Sequence, residues 1–226
     1  IFVKSECVVT DCRTAELTKL VENSYRDVNI AFANELSLIC DKLNINVWQL
    51  IKSANYHPRV NILNPGPGVG GHCIAVDPWF IVNSAPEEAQ LIRKARLIND
   101  NKPDFVFRKI QDAITKTGRK KSELNISCLG LTFKSDIDDL RESPALKIAQ
   151  KICKMKFNRI FLVEPNITEV PLSITSVNKI SSLNDALKMS DIVLLLVDHE
   201  QFKTLDLNLL SGKQIIDTRG IWDIES

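Results

Sequence analysis

Apolar residues recur at threes and fours over residues 14–43: Ala15, Leu17, Leu20, Val21, Val28, Ala31, Phe32, Leu36, Ile39 and Leu43. That period predicts one amphipathic helix of roughly 30 residues, about 45 Å long. No Gly or Pro interrupts it, and Asp11 or Thr14 can cap its start. Such a length exceeds what one small core needs, so part of the helix is expected to pack on another subunit. Asn46 and Gln49 stand in capping-box spacing ahead of Val47, Trp48, Leu50 and Ile51, which predicts a second, shorter helix. Residues 55–72 have no period and are rich in Pro and Gly. Helical patterning resumes near 84–87, where Pro86 suits a first turn, and a further helix is predicted over 103–117.

The polar stretch 118–121 reads as a boundary. Beyond it, short continuous apolar runs alternate with helical segments. Residues 125–131, 159–163, 192–197 and 214–217 read as strands. Ser143-Pro144 opens one helix, and 183–189 forms another. Strands without polar alternation are buried on both faces, so the expected architecture is a parallel sheet covered by helices. The fold class is therefore α plus α/β. In such sheets ligands sit beyond the carboxyl ends of the strands, which here carry Thr132-Phe133-Lys134, Glu164, Asp198-His199 and Thr218-Arg219.

The formal net charge of +1 argues against a strongly basic nucleic-acid binder or a polybasic membrane anchor. No apolar run approaches the ~18 residues of a membrane span. Cys7, Cys12, Cys40, Cys73, Cys128 and Cys153 show no CxxC pair and no metal-finger spacing. Cys40, Cys128 and Cys153 lie in apolar segments, where cysteine acts as a small hydrophobe. Free thiols point to a reducing, cytoplasmic compartment. The chain opens on Ile1 in mid-pattern, which reads as the last strand of a preceding domain and as part of a longer protein. No G-x-G-x-x-G occurs, so any NAD site is expected to lie largely outside this chain.

The densest chemical signal is Asn64-Pro65-Gly66-Pro67-Gly68-Val69-Gly70-Gly71-His72-Cys73-Ile74-Ala75-Val76-Asp77-Pro78. Glycines let a backbone approach a ligand closely, and Cys73 is a candidate nucleophile with a carboxylate four residues on. Gly70 and Gly71 either offer backbone N–H groups to a substrate or form a plain turn. Asp77, followed by Pro78, also suits a helix N-cap. His57 and His72 beside Cys73 and Asp77 lack zinc-site spacing, so no metal is expected. Lys19 and Asn23, four apart on one helix face, are either a solvated stripe or a pair able to stabilise an oxyanion.

This cysteine loop closely resembles that of the nucleotide-sugar 6-dehydrogenases, the UDP-glucose/GDP-mannose dehydrogenase family. Two further signatures agree in order and spacing. Residues 14–23 match the family's A-E-x-x-K-x-x-x-N, and Gly130-Leu131-Thr132-Phe133-Lys134 precedes Asp138-Asp139-Leu140-Arg141-Glu142-Ser143-Pro144. The resemblance covers nearly the whole chain. It implies a remnant of an NAD-binding domain (1–12), a central dimerisation domain with the cysteine loop (13–118) and a Rossmann-like UDP-sugar-binding domain (119–226). It implies a homodimer through the long helix. It also implies oxidation of C6 of a UDP-sugar with NAD, through a thiohemiacetal and thioester on Cys73. Lys19 and Asn23 would stabilise the oxyanion, and Asp77 would assist hydrolysis.

Arg59 resembles an arginine that crosses to a neighbouring subunit's substrate; a surface arginine is the plain alternative. Phe133, Lys134, Gly70, Gly71 and Arg219 fall on the substrate side, and Arg141 on the cofactor side. A plain salt bridge from Arg141 to Asp138 or Asp139 is equally open. Glu164 ends the second strand, where a ribose-binding carboxylate stands in dinucleotide folds, but without the glycine fingerprint this reads as coincidence. Val76 stands where many relatives have lysine, in keeping with the branch acting on UDP-N-acetyl-D-mannosamine. Two rival readings stay open: a nucleotide-sugar-binding and dimerisation module with no turnover of its own, and a dehydrogenase of another UDP-sugar such as UDP-glucose.

Overall fold

The computed structural model describes residues 6–177 and 179–222. The strand expected at the start of the chain lies largely outside them; residues 6–11 carry no regular structure, and Val8 and Val9 are exposed.

The long period forms α1, Cys12–Leu43. Asp11 caps it, accepting from the Thr14 N–H at 3.1 Å, and Asn44 ends it in the left-handed region with φ 55°. Asn46 caps α2, Val47–Ala54, by accepting from the N–H groups of Trp48 and Gln49. α3 is Asp77–Ser84 and α4 is Gln90–Thr117.

Two expectations are corrected here. Residues 85–88 form a turn, not a helix start. The helix expected from Pro103 is the second half of α4, which runs unbroken through that proline. Proline removes one hydrogen bond and frees the carbonyl four residues back, here that of Asn99. α1 holds both halves of α4 by side-chain bonds: to Arg96, Asn99 and Lys102 before the proline, and from Asp41 to Lys109 beyond it. Gly68 packs beside both the Asn99 carbonyl and the Pro103 ring.

The second half of the chain forms β1 (Asn125–Leu129), α5 (Pro144–Cys153), β2 (Arg159–Val163), α6 (Leu183–Met189), β3 (Ile192–Leu195), α7 (Glu200–Lys203) and β4 (Gln214–Asp217). All pairings are parallel, in the order β2-β1-β3-β4. β1 and β3 end earlier than the apolar runs suggest. Gly130 turns the chain with φ 91°, its missing Cβ leaving room for Val197, and Leu129 O accepts from both Leu196 and Val197.

Alternate strand residues serve two cores, as a two-residue side-chain period requires. Ile126, Cys128, Ile192 and Leu194 pack with Ile148 and Ile152 of α5 and with Val106 and Ile110 of α4. Leu129, Val193 and Leu195 pack with Ala186, Leu187, Phe202 and Trp222. The second half of α4 is thus a wall of the sheet's own core, which joins the helical part to the α/β part. The chain leaves β1 toward β2 on one side and returns to β3 on the other, so the topological switch point lies between β1 and β3, where ligand crevices form in open sheets.

Candidate functional site

The cysteine loop lies against this switch point. Gly71 N–H donates to Arg141 O at 3.1 Å. A Cβ on Gly70 would stand 2.7 Å from Glu142 O and 2.8 Å from both Phe133 Cβ and Pro144 Cδ. Gly71, at φ 86°, lies against the Phe133 ring. The expectation that Gly71 turns its N–H toward a ligand is corrected: that N–H closes onto the second half of the chain. Glycine at these positions is explained by close packing between the two halves. Gly70→Ala is expected to cost about 1–3 kcal/mol through overpacking, read as a lower urea midpoint. An unchanged midpoint would show that the contact yields freely.

Between the loop and the strand ends lies a cavity of about 320 Å³, lined by Arg26 and Ile30 of α1, Gly66, Gly68 and Gly70 of the loop, Phe133 and Lys134 after β1, and Asp198 and Arg219. The Arg219 Nε–H donates to Asp198 at 2.8 Å, and its Nη1 fills the place of a Gly66 side chain. Arg26, Lys134 and Arg219 make it a cationic recess suited to a phosphorylated ligand. Asp198 stands at a strand end where the sequence placed a ligand, whereas Arg26 escaped the sequence reading. Arg26 follows Asn23 by three residues and so shares its helix face, the one signal that pointed to it.

Cys73 is half-buried, and Gly70 and Ile74 on either side of it line the cavity. Its carbonyl accepts from the N–H groups of Val76 and Asp77 at 3.0 and 2.8 Å, which fixes the thiol on the turn entering α3. Asp77 is not the N-cap expected: it is the first helical residue, and Val76 holds the cap position without a side-chain bond. The Asp77 carboxylate instead accepts from buried Asn23 Nδ2 at 2.5 Å, joining the long helix to the cysteine turn. Lys19, one turn away, is exposed and pairs loosely with Glu22 at 3.5 Å.

Arg141 is held by Asp139, with Nη2 at 2.6 Å, as the plain reading had it. Asp139 raises the Arg141 pKa by hydrogen bonding and by charge. Arg59 is exposed in the turn after α2 and does not line the cavity. Among the described residues no group of three or more His, Cys, Asp or Glu could hold a metal.

Behind the loop runs a buried polar ladder. Arg96 Nη1 donates to Asp27 at 2.5 Å, and Arg96 also meets Asp100. Asn99 Nδ2 donates to Asp27, Asn34 Nδ2 to Asn99 at 2.8 Å, and Gly66 N–H to Asn34 at 2.9 Å. Burial pushes the Asp27 carboxyl up, against the pull of Arg96 and Asn99. The ladder thus carries the positions of α1 and α4 to the glycine loop.

Glu164 is used inside the fold. Its Oε2 accepts from the N–H groups of Leu131 and Thr132 at 2.7 and 3.2 Å and meets His199 Nε2 at 3.1 Å. His199 Nδ1 accepts from Asp136 N–H at 3.0 Å, which leaves the proton on Nε2 to face Glu164. This clasp holds the loop that carries Phe133 and Lys134. Burial pushes the Glu164 carboxyl up, but the His199 and backbone hydrogen bonds outweigh it and leave the pKa below its ordinary 4.5. A depressed folded value stabilises above the unfolded pKa and is lost as pH falls through the folded one. Wild type is therefore expected to melt above Glu164→Gln by a margin worth about 1–2 kcal/mol at neutral pH, shrinking below pH 4.5. A margin as large at acid pH as at neutral would refute the clasp's charge.

The same clasp occupies the turn after β1. The backbone donors after β1 are spent on Glu164, and Gly130 is filled by Val197. These residues do not fit a dinucleotide pyrophosphate.

Residues 13–101 match the central domain of the UDP-glucose/GDP-mannose dehydrogenase family, and residues 127–224 match its UDP binding domain. The chain belongs to this family. An NDP-N-acetyl-D-galactosaminuronic acid dehydrogenase of Ralstonia nicotianae is 55% identical over 98% of the chain, and a UDP-N-acetyl-D-mannosamine dehydrogenase of Escherichia coli is 53% identical over 98%. The chain spans 51% and 54% of those two proteins, about half of each. Among solved structures of the family, the UDP-D-ManNAc dehydrogenase of Pyrococcus horikoshii superposes with a TM-score of 0.86 at 37% identity, over 98% of this chain and 52% of that one. The UDP-N-acetyl-mannosamine dehydrogenase of Staphylococcus aureus gives 0.81 at 41%, over 99% and 52%.

Proposed function

We propose that this chain is the cysteine-bearing, nucleotide-binding half of an NAD-dependent dehydrogenase that oxidises C6 of UDP-N-acetyl-D-mannosamine to the uronate. The observation that carries this is the Asn23–Asp77 hydrogen bond, which sets the cysteine turn beside a cationic cavity at the switch point. NAD, bound largely outside these residues, supplies the oxidising power. Within the chain, the Cys73 sulfur adds to the C6 aldehyde carbon, and the thioester reached at the next oxidation level is cleaved by water. Asn23 and Lys19 stabilise the oxyanion, Asp77 orients the water, and Arg141 stands on the cofactor side. Lys134 and Arg219 hold the diphosphate, and Phe133, Gly70 and Gly71 shape the recess around it. Arg59 reaches the site of a second subunit. The exposed apolar stripe Leu17, Val21, Tyr25, Phe32, Ile39 and Leu43 on α1 supports a homodimer through that helix.

A galactosamine-configured sugar is the rival substrate, favoured by the name of the relative at 55% identity. The absence of a fitting dinucleotide turn favours a second reading for the isolated chain: a binding and dimerisation module that does not turn over. Calorimetric titration with UDP-N-acetyl-D-mannosamine, UDP-N-acetyl-D-galactosamine, UDP-glucose and NAD⁺ separates these. Binding of a UDP-sugar without NAD⁺ is expected, and the preferred sugar names the substrate. Tight NAD⁺ binding with no UDP-sugar binding would reverse the assignment of the halves.

A further inference from the structure

A second cavity, of about 600 Å³, opens on the far side of the loop, between the end of α1, α2, α4 and β4. It lies apart from the cysteine turn and shares no lining residue with the first cavity. Its walls are largely apolar, with Val47, Trp48, Phe105, Val106, Ile215 and Ile216 prominent. Trp48 is fixed there by packing over Gly220, whose missing side chain leaves room for the indole.

Into this recess points Lys102, which is only 5% exposed. Its Nζ donates to Ser37 Oγ at 2.5 Å and lies 4.3 Å from the centre of the Phe105 ring. Ser37 in turn donates to Asn34 O, so its hydroxyl is committed as an acceptor for the lysine. Among the described residues no carboxylate comes within ion-pair distance of Lys102; the nearby Asp41 pairs with Lys109 instead. An ammonium has three donors, and one hydroxyl cannot satisfy them. A buried cation of this kind is costly unless an anion meets it.

We propose that this cavity is a binding site for a small organic anion with a flat apolar body, its acidic group pairing with Lys102 and its body lying against Trp48. The two halves of the site ask for that combination: apolar walls give affinity without direction, and the buried amine of Lys102 fixes orientation. Burial draws the Lys102 pKa down to about 7, against the attraction of Asp41 and with the repulsion of Lys109 and Arg108. The other charged groups facing the recess are Asp112 and Lys116 of α4 and Asp217 of β4. An anion binds the protonated amine, so binding takes up a proton and strengthens as pH falls through neutrality.

The test is calorimetric titration of the 226-residue chain with 2-naphthoate and with uncharged 2-naphthamide, alongside the tryptophan indole N–H signals by NMR. At about pH 6 the carboxylate is expected to bind at least ~10-fold more tightly than the amide, and the preference is expected to fall by about pH 9 as Lys102 loses its proton. Of the three tryptophans, Trp48 is the one expected to shift. Lys102→Met should abolish the charge preference and Lys102→Arg should keep it. Equal affinity for the two probes, a preference that survives Lys102→Met, or a shift at Trp79 or Trp222 in place of Trp48 would overturn the proposal. Should Lys102→Met fail to fold, the pH comparison and the Trp48 signal on the native chain decide it.

Discussion

Cys73→Ala in the whole dehydrogenase is expected to lower NADH formation by about 10³-fold or more, because no other side chain on the turn can form the covalent intermediate. The structure gives this a geometric basis. Two backbone hydrogen bonds to the Cys73 carbonyl fix the turn that carries the thiol at the entry of α3. Cys73→Ser separates covalent catalysis from binding. A serine alkoxide is scarce at neutral pH, and its ester hydrolyses less readily than a thioester, so activity falls steeply while UDP-sugar affinity holds. Intact mass after incubation with substrate and NAD⁺ is expected to show a sugar-nucleotide adduct on the serine variant. Asn23→Ala should lose less, about 10²–10³-fold, as for one oxyanion donor. Full activity in Cys73→Ala would sink the mechanism, whatever the chain binds.

Much of this arrangement was legible in the chain because it is local or periodic. α1 follows from an unbroken period with Asp11 at its start, and the four strands follow from short apolar runs bounded by turns. The loop around Cys73 is conspicuous because four glycines in so few residues serve no helix or strand. What was not legible depends on partners distant in sequence. Pro103 reads as a helix start, yet α4 runs through it, held to α1 by Arg96 and Lys102 before it and by Lys109 beyond it. Asp77 satisfies the local rule for an N-cap, yet Asn23, 54 residues away, takes its carboxylate. Glu164 stands where a ribose ligand belongs in dinucleotide folds, and His199 with two backbone donors claims it first. In each case a local preference worth about 1 kcal/mol gave way to a buried polar contact whose loss would cost more.

The ladder behind the glycine loop is where that rule acts most strongly, and Arg96→Met is expected to show it. Arg96 and Asp27 have fully buried side chains. Removing the guanidinium leaves the Asp27 carboxylate in an apolar interior with Asn99 as its remaining side-chain donor. Breaking one side of a buried pair costs about 3–5 kcal/mol, which for a chain of this size lowers Tm by roughly 10 °C. The damage should extend to the site, since Asn99 holds Asn34 and Asn34 holds Gly66 on the cavity wall. UDP-sugar affinity should therefore fall even at temperatures where the variant is fully folded. Asp27→Leu combined with Arg96→Met removes both charges and is expected to recover much of the lost stability, because exchanging a buried ion pair for well-packed apolar groups is often neutral. It should not recover ligand affinity to the same degree, because Asn99 then keeps only the Asp27 carbonyl as its acceptor on α1. Equal recovery of both would mean that the ladder stabilises the helices without positioning the loop. Recovery of neither would mean that Asp100, the second partner of Arg96, carries the larger share.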